Sequence, residues 1–416
     1  MNVFDISALL LTATAFGSFV NYKWIKLPSS IALLLMAMVL VLLGILLRKI
    51  GLMNNYYIKD FLSNINFEEI IFHGMLSFFL FAGALQINLE ELKKVKLPIV
   101  ITATISTLIS TIIVGFSFYI LANYLGFTHI SLLYAMLFGS ILSPTDPIAV
   151  LSIIKKLNVS KKIETIIIGE SLFNDGVAIV FFLTIIELIN SGGGISTTGI
   201  LWSLFLTICG GVLFGAIIGW LAYQMLLRVD NYQIELFITL AVATGGYSLA
   251  QKLNFSAPLA MVIAGLIIGN HYRSHAMSDQ SKMYINAFWE AIDEVLNAVL
   301  FFLIGLEMML INPTIIIFIL SFACIFIALS ARFISIAIPL AILKPFHNTT
   351  RSSLITLTWG GLRGGISIAM VLSLQQDAIK DIFLPCIYIV VVFSIIVQGL
   401  TFGSIFKRYQ TELQKI

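Results

Sequence analysis

The sequence SPTDP at residues 143–147 interrupts a long apolar stretch, and a second acidic sequence, GESLFND, follows at residues 169–175. Each carboxylate at the centre of a bilayer costs roughly 2.5–3.5 kcal/mol even on the most lenient insertion scale. Asp146, Glu170 and Asp175 are three such carboxylates within thirty residues. We therefore expect each of them to bind a cation, a proton or a partner side chain.

The rest of the chain has the composition of a membrane protein. It has 416 residues, of which 59% are hydrophobic and 11% charged, and its mean hydropathy is +1.02. A water-soluble core cannot bury that much apolar surface. Continuous apolar runs long enough to cross about 30 Å of hydrocarbon predict an all-α membrane protein with about 13 transmembrane helices, and exclude a β-barrel. The predicted spans are 3–22, 28–47, 70–89, 97–125, 130–154, 163–190, 198–227, 232–251, 255–270, 285–311, 314–342, 352–374 and 381–406.

The charges of the loops predict the orientation. Of 24 Lys and Arg residues, 17 fall in alternate loops, five in the opposite loops and two within spans. The positive-inside rule then places the N-terminus outside and the C-terminus in the cytoplasm. The net charge of +3 is explained by these loops and does not indicate nucleic acid. Three widely separated cysteines predict neither a disulfide framework nor a metal site, and no cofactor is expected.

Two apolar segments are similar to each other, FFLFAGALQINL from Phe78 and FFLIGLEMMLIN from Phe301. They fall on spans three and ten. These spans are an odd number of crossings apart, so the two copies run in opposite directions through the membrane. The same offset pairs span five, which contains prolines, with span twelve, which contains four glycines at 360–365. We predict a single transmembrane domain over 1–416, with a first inverted repeat in 1–190, a linking helix at 198–227 and a second repeat in 232–406. Helix breakers at matching positions of inverted halves are typical of a transporter's binding site.

In span five, Pro144 and Pro147 remove backbone donors and clash with the preceding turn, so a continuous helix is not expected. Unwound backbone is tolerated at membrane depth only where it is buried or lines a cavity. Freed carbonyls, the Thr145 hydroxyl and the Asp146 carboxylate predict an oxygen-rich site for a small hard cation. The alternative is a proline kink in which Asp146 caps a half-helix.

In span six, Ser171 and Asp175 are four residues apart, as are Glu170 and Asn174, so the four polar groups face one side of a helix. Asp175 is a candidate for the carboxylate at which a proton and a cation compete. If Asp146 lies close to Asp175, their titrations are coupled. The alternative is a purely structural polar network.

Two arginines lie within spans and need a reason to be there. Arg332 in span eleven is the natural partner for Glu170, because an intramembrane charge must be paired. Arg363 in span twelve is expected to offset the carbonyl ends of broken helices, with snorkelling to the interface as the alternative.

Two further groups carry weaker signals. The first is a polar face at the start of span ten, which is either a cation-attracting funnel or a solvated helix end; it comprises Glu290, Asp293, Glu294 and Asn297. The second is the loop pair His271 and His275, which either senses pH or is simply solvated.

Four ordered motifs together resemble the NhaP-like sodium/proton exchangers: SPTDP at 143–147, GESLFNDG at 169–176, Ala331-Arg332, and GGLRGG at 360–365. The resemblance implies an inverted-repeat antiporter fold in which spans five and twelve are broken and cross each other. It also implies a homodimer in a bacterial inner membrane, in contact with lipid, whose core domain moves past a dimerisation domain.

The resemblance also assigns roles to residues. Asp175 would bind the cation and the proton alternately, with Thr145, Asp146 and Ser171 completing the shell around Na⁺, Li⁺ or K⁺. Asn174 would support the pairing of Glu170 with Arg332, and an asparagine at this position resembles the electroneutral branch. This chain departs from many relatives at Ala82, where an acidic residue is common, so an auxiliary cation ligand is expected to be missing.

Two other functional classes compete with a cation/proton antiporter. An intramembrane aspartyl protease would use Asp146 and Asp175, but the Gly-x-Gly-Asp sequence typical of its second helix is absent around Asp175. A channel or sensor would keep the fold without alternating access. The motifs favour a transporter that is not an enzyme.

Overall fold

The computed structural model describes residues 3–50, 69–146, 161–191, 197–272, 279–308, 314–343, 351–375 and 378–413. Within these ranges the regular structure is helical, which confirms the predicted all-α class. The α-helices in chain order are α1 (Val3–Val20), α2 (Ser29–Lys49), α3 (Leu76–Gln86), α4 (Leu89–Lys94), α5 (Lys96–Ile101), α6 (Thr107–Tyr124), α7 (Leu132–Leu142), α8 (Lys161–Asn190), α9 (Thr197–Leu226), α10 (Tyr232–Ala241), α11 (Tyr247–Lys252), α12 (Ala257–Ile267), α13 (Asp279–Glu307), α14 (Ile315–Leu343), α15 (Arg351–Gly360), α16 (Gly365–Leu372), α17 (Ala378–Phe393) and α18 (Gly399–Leu413).

Short π-helical segments extend or join several of these helices. Two α-helices and the π-segment between them then form one span, as over Lys96–Tyr124 and Ala378–Tyr409. The π-segments are Asn21–Ile25, Glu69–Met75, Thr102–Ser106, Val242–Gly246, Ile268–Tyr272 and Ser394–Gln398.

Six stretches of the described residues are long and apolar enough to cross a membrane: Ser29–Leu47, Lys96–Tyr124, Glu164–Asn190, Trp202–Leu226, Ile315–Ala341 and Ala378–Tyr409. Other predicted spans coincide with shorter apolar helices, such as Leu76–Gln86 and Leu132–Leu142. The total of thirteen spans therefore stays a prediction.

Small residues and aromatic rings pack α7 against its neighbours. A Cβ atom at Gly139 of α7 would collide with the carbonyl oxygen of Thr111 in α6, so only glycine allows these two backbones to lie this close. Beside this contact, the rings of Phe118 and Phe138 stack at 3.8 Å between centroids, and Phe383 of α17 meets Phe138 edge-on at 5.0 Å. The half-helix that leads to the SPTDP sequence is thus firmly held.

The two predicted helix breaks are present and meet each other. Helix α7 ends at Leu142, just before Pro144, and α15 ends at Gly360, whereas α16 begins at Gly365. An isolated antiparallel bridge joins Asp146 to Leu362, and the Asp146 amide donates to the Leu362 carbonyl oxygen at 2.7 Å. The break of span five therefore crosses that of span twelve. Pro147 and the second half of span five lie outside the described residues.

Candidate ion-binding site

Arg363 neutralises the end of α7. Its Nη1 donates to the carbonyl oxygens of both Ser143 and Pro144, the second at 2.8 Å. These carbonyls carry the partial negative charge of a helix C-terminus and have no intrahelical donor after the break. Arg363 is buried, with 3% of its surface exposed, so it does not snorkel to the interface. The guanidinium lies where the sequence interpretation placed its charge.

Thr145 is bound to α8 by a buried network of hydrogen bonds. The Asn174 carboxamide donates to Thr145 Oγ1 at 2.7 Å and accepts from the Thr145 amide at 3.3 Å. The Thr145 hydroxyl also lies 3.2 Å from Ser171 Oγ. Thr145, Ser171 and Asn174 are therefore brought together as one polar cluster between the break and α8.

The role that the resemblance gave to Asn174 needs a correction. Its hydrogen bonds in the described part of the chain go to Thr145, and none goes to Glu170 or Arg332. Residues 170 and 174 lie one turn apart on the same stripe of α8, and the unwound segment of span five packs over the turn that carries Asn174. In this structure Asn174 is hydrogen-bonded to the unwound segment.

Glu170 and Arg332 form the expected ion pair, with Glu170 Oε1 and Arg332 Nη1 2.6 Å apart. Both side chains are buried, at 2% and 6% exposure. Removing either charge would leave the other uncompensated in a low-dielectric interior. The pair links α8 to α14 close to the crossing, since a Cβ atom at Gly361 would collide with the Arg332 guanidinium.

Asp146 and Asp175 line one cavity of about 610 Å³ at the crossing. Asp175 is 8% exposed, and it lines the same cavity as Asp146. A Cβ atom on Gly364 would collide with the Asp146 side chain, so the start of α16 packs directly on this carboxylate. Two like charges in a confined, partly dry site favour the binding of a cation or a proton.

The same cavity is lined by the polar face of α13. Glu290, Asp293, Glu294 and Asn297 all lie in its wall, which supports the funnel interpretation over an ordinary solvated helix end. From span three, Gly83 and Gln86 line the cavity, whereas Ala82 is fully buried and does not. The neutral carboxamide of Gln86 is thus the polar group that α3 offers to the cavity.

Some polar residues were missed by sequence reasoning. Ser394 and Gln398 contact the break of span twelve from the π-segment between α17 and α18, and an i, i+4 polar pair in an apolar span was the available signal. Glu235 and Glu307 are buried, and none of their carboxylate oxygens accepts a hydrogen bond from the residues that the structure describes. His275 and the His271 side chain lie outside what the structure describes.

Interrupted helices that cross inside a helical bundle and place carboxylates in a polar cavity define a secondary transporter for small cations. The family model described as "Sodium/hydrogen exchanger, transmembrane" matches residues 8–408, and the chain belongs to this family. The resemblance read from the four motifs is thereby confirmed.

The chain is similar over nearly its whole length to several characterised proteins. It is 40% identical over 411 residues to the Na(+)/H(+) antiporter NhaP of Pseudomonas aeruginosa, covering 97% of this chain and 96% of the relative. It is 33% identical over 419 residues to the Na(+)/H(+) antiporter NhaH of Halobacillus aidingensis, covering 97% of each.

A solved structure shares the fold. The sodium proton antiporter MjNhaP1 from Methanocaldococcus jannaschii superimposes with a TM-score of 0.75 at 20% identity, covering 97% of this chain and 98% of that one. The predicted antiporter fold is confirmed by this match. The relatives favour transport over the protease and channel alternatives.

Proposed function

We propose that this protein is a secondary antiporter that exchanges Na⁺ for protons across the membrane, and that the cation and the proton compete for Asp175. The observation that carries the proposal is that Asp175 and Asp146 line the same cavity at the crossing of the broken helices. Membership of the sodium/hydrogen exchanger family supports the same conclusion.

The cation shell is proposed to consist of Asp175, Asp146, Thr145 and Ser171. Carboxylate, hydroxyl and backbone carbonyl oxygens are the ligands that hard cations prefer. The contacts of Thr145 with Ser171 and Asn174 hold the unwound segment against α8, which supports this assignment. The oxygen-only set suits Na⁺ and Li⁺, and K⁺ is included as a candidate substrate.

Glu170 and Arg332 are proposed to brace the site without binding the ion. Their charges compensate each other at 2.6 Å, so neither is available for exchange. Because Asn174 is uncharged and Glu170 is paired with Arg332, Asp175 is the carboxylate in this part of α8 that can exchange its charge. The proposed stoichiometry is therefore electroneutral, one cation for one proton.

The cavity is proposed to open to the cytoplasm. Its wall includes Ser29 and Ser30 at the start of α2, Glu164 near the start of α8 and Gln86 at the end of α3. The loop charges predict that each of these helix ends is cytoplasmic. An inward-open state in a bacterial inner membrane, with the N-terminus outside, is consistent with both observations.

Two inverted repeats, in 1–190 and 232–406 around a linking helix at 198–227, are proposed on the paired breaks. A homodimer embedded in lipid is proposed on the resemblance alone. We expect the dimer to keep its scaffold fixed while the crossing moves.

The test is cation-induced proton movement in proteoliposomes for Li⁺, Na⁺ and K⁺, each with and without an imposed membrane potential. We expect Na⁺ to release protons from the wild type at a rate that the potential does not change. Asp175→Asn should abolish exchange, because an amide cannot bind a proton and a cation alternately. Glu187→Gln is the matched control, since Glu187 is an exposed acid on the same helix.

Unchanged exchange in Asp175→Asn would refute the assignment of the site. A rate that rises or falls with the potential would refute electroneutrality and leave the antiport itself standing. Ohmic current without saturation would favour a channel.

A further inference from the structure

Span thirteen contains a buried polar pair that does not reach the ion-binding cavity. Ser394 and Gln398 form the two ends of the π-helical segment between α17 and α18, and they are 1% and 3% exposed. Neither side chain lines the cavity that holds Asp146 and Asp175. Buried polar groups in an apolar span need hydrogen-bond partners, and π-helical segments are frequent at functional sites.

The partners of this pair lie on both sides of the break in span twelve. Ser394 Oγ accepts from the Arg363 amide at 2.9 Å and donates to Gln398 Oε1. Gln398 Nε2 in turn donates to the carbonyl oxygen of Trp359 at 3.4 Å. One chain of hydrogen bonds therefore runs from residue 359 to residue 363 and encloses the non-helical stretch between them.

The opposite side of the same stretch carries the ion site. Leu362 accepts from the Asp146 amide at 2.7 Å, and the Arg363 side chain binds the carbonyl oxygens of Ser143 and Pro144. A displacement of residues 361–363 therefore displaces Asp146 as well. Span thirteen is thus connected to the backbone of Asp146 through a single intermediate segment.

The far end of the half-helix α16 is held by the same span. The Lys380 ammonium of α17 donates to the carbonyl oxygens of Leu372 and Leu374, which are at and beyond the C-terminus of α16. A cation at a helix C-terminus stabilises it through the helix dipole. Span thirteen thus contacts α16 at both ends.

We propose that Ser394 and Gln398 are positioning residues that set the size of the cation shell, and with it the preference among alkali cations. This inference rests on the proposed function. Selectivity between hard cations depends on the size and rigidity of the coordinating cavity. Because the two residues act on Asp146 through Leu362 and Arg363, they tune the site without touching the ion.

The experiment measures exchange by Ser394→Ala, Gln398→Leu and the double variant in proteoliposomes with Li⁺, Na⁺ and K⁺. Ser321→Ala is the control, because Ser321 is equally buried but its hydroxyl donates to the Ile317 carbonyl oxygen at 2.7 Å and lies 3.3 Å from Cys386 Sγ, away from the break. Thermal unfolding of each purified variant identifies the ones that fold.

We expect the half-saturating Na⁺ concentration of Ser394→Ala to rise about fivefold, while the maximal rate changes less than about twofold. The ratio of half-saturating concentrations for K⁺ and Li⁺ should shift, because a looser shell discriminates less by ion size. The double variant should equal the larger single effect, since both residues belong to one chain of hydrogen bonds.

Three results would overturn the inference while the wild type still exchanges. They are half-saturation values like those of Ser321→Ala, an equal change for all three cations, and effects that multiply in the double variant. A wild type that moves no protons with any cation would refute the proposed function instead.

Discussion

The breaks of spans five and twelve meet at one point but contribute opposite chemistry. The break of span five supplies oxygens, from the Thr145 hydroxyl, the Asp146 carboxylate and the carbonyls of its helix end. The break of span twelve supplies donors and space, from the Arg363 guanidinium and from glycines that lack side chains. Arg363 compensates carbonyl groups at the end of α7, so a permanent charge stabilises the unwound backbone beside the carboxylates.

This difference in chemistry explains why each break needs its own residues. A cation site requires oxygen atoms that are fixed in position and keep lone pairs available for the ion. Span five binds Thr145 to α8 on one side, while span twelve contacts Asp146 through the Leu362 carbonyl oxygen and the backbone of Gly364. Exchanging the two sequences between the breaks would place a guanidinium in the cation shell.

The largest effect is expected from adding a methyl group to span twelve. Gly364→Ala places a Cβ atom on the Asp146 side chain, and the extended backbone at Gly364 (φ −129°, ψ −159°) is open to alanine, so the collision is the only obstacle. Displacement of a reacting group by about 1 Å can cost about 100-fold in rate, and we expect a loss of exchange of at least this size.

The measurement is proton release on addition of Na⁺, at equal amounts of reconstituted protein. Gly245→Ala is the control, because nothing lies within 4 Å of a Cβ atom there. Similar activity in both variants would show that the two breaks do not need this close contact.

A smaller effect, on stability, is expected at the ion pair beside the crossing. Arg332→Gln leaves the buried Glu170 carboxylate without its partner, which typically costs about 3–5 kcal/mol. The double variant Glu170→Gln with Arg332→Gln should recover most of that loss, because no charge remains buried. Thermal unfolding of the purified variants in detergent measures both.

The double variant distinguishes two roles of the Glu170–Arg332 pair, structural support of the breaks and participation in ion transport. If the pair only braces the breaks, the double variant should also recover exchange. A double variant that is stable and inactive would place Glu170 in the transport mechanism.

The smallest effect is expected on the side of span five. Thr145→Val keeps the shape of the side chain but removes the acceptor of the Asn174 carboxamide and the neighbour of Ser171. We expect the half-saturating Na⁺ concentration to rise about tenfold, as for the loss of a buried hydrogen bond with one donor left unpaired.

The control is Thr107→Val, since the Thr107 hydroxyl donates to the carbonyl oxygen of Ala103 one turn earlier in the same span. Exchange kinetics of the two variants give the comparison. An unchanged half-saturating concentration in Thr145→Val would remove Thr145 from the cation shell.

Much of the fold was predictable from local sequence. Hydropathy located the apolar helices because the spanning length is fixed by the bilayer, and prolines and glycines located both breaks because they interrupt helical hydrogen bonding. The Glu170–Arg332 pair was predictable because an intramembrane charge requires a partner and few are available. The exact number of spans was not testable by length alone, since broken and π-containing helices are individually short.

The contacts of Asn174 and Ser394 were not predictable in this way. Spacing along α8 put Asn174 on the same stripe as Glu170, yet its partner is decided by which segment crosses that stripe. Ser394 lies in a span with no acidic motif, and its role depends on a backbone amide that any residue at 363 would offer. Such partners are set by helix packing, and they leave no recognisable pattern in the amino-acid sequence.

The amino-acid sequence alone identifies a helical membrane protein with costly carboxylates and two helix breaks, because burial in lipid penalises each charge and each unpaired backbone group at the residue where it occurs. Only the tertiary structure decided that Asp146 binds the backbone of Leu362, that Asn174 holds Thr145, and that Asp146 and Asp175 share a cavity with the acidic face of α13. These contacts join residues from distant helices, and their distances follow from how close the glycine and aromatic surfaces let the helices approach.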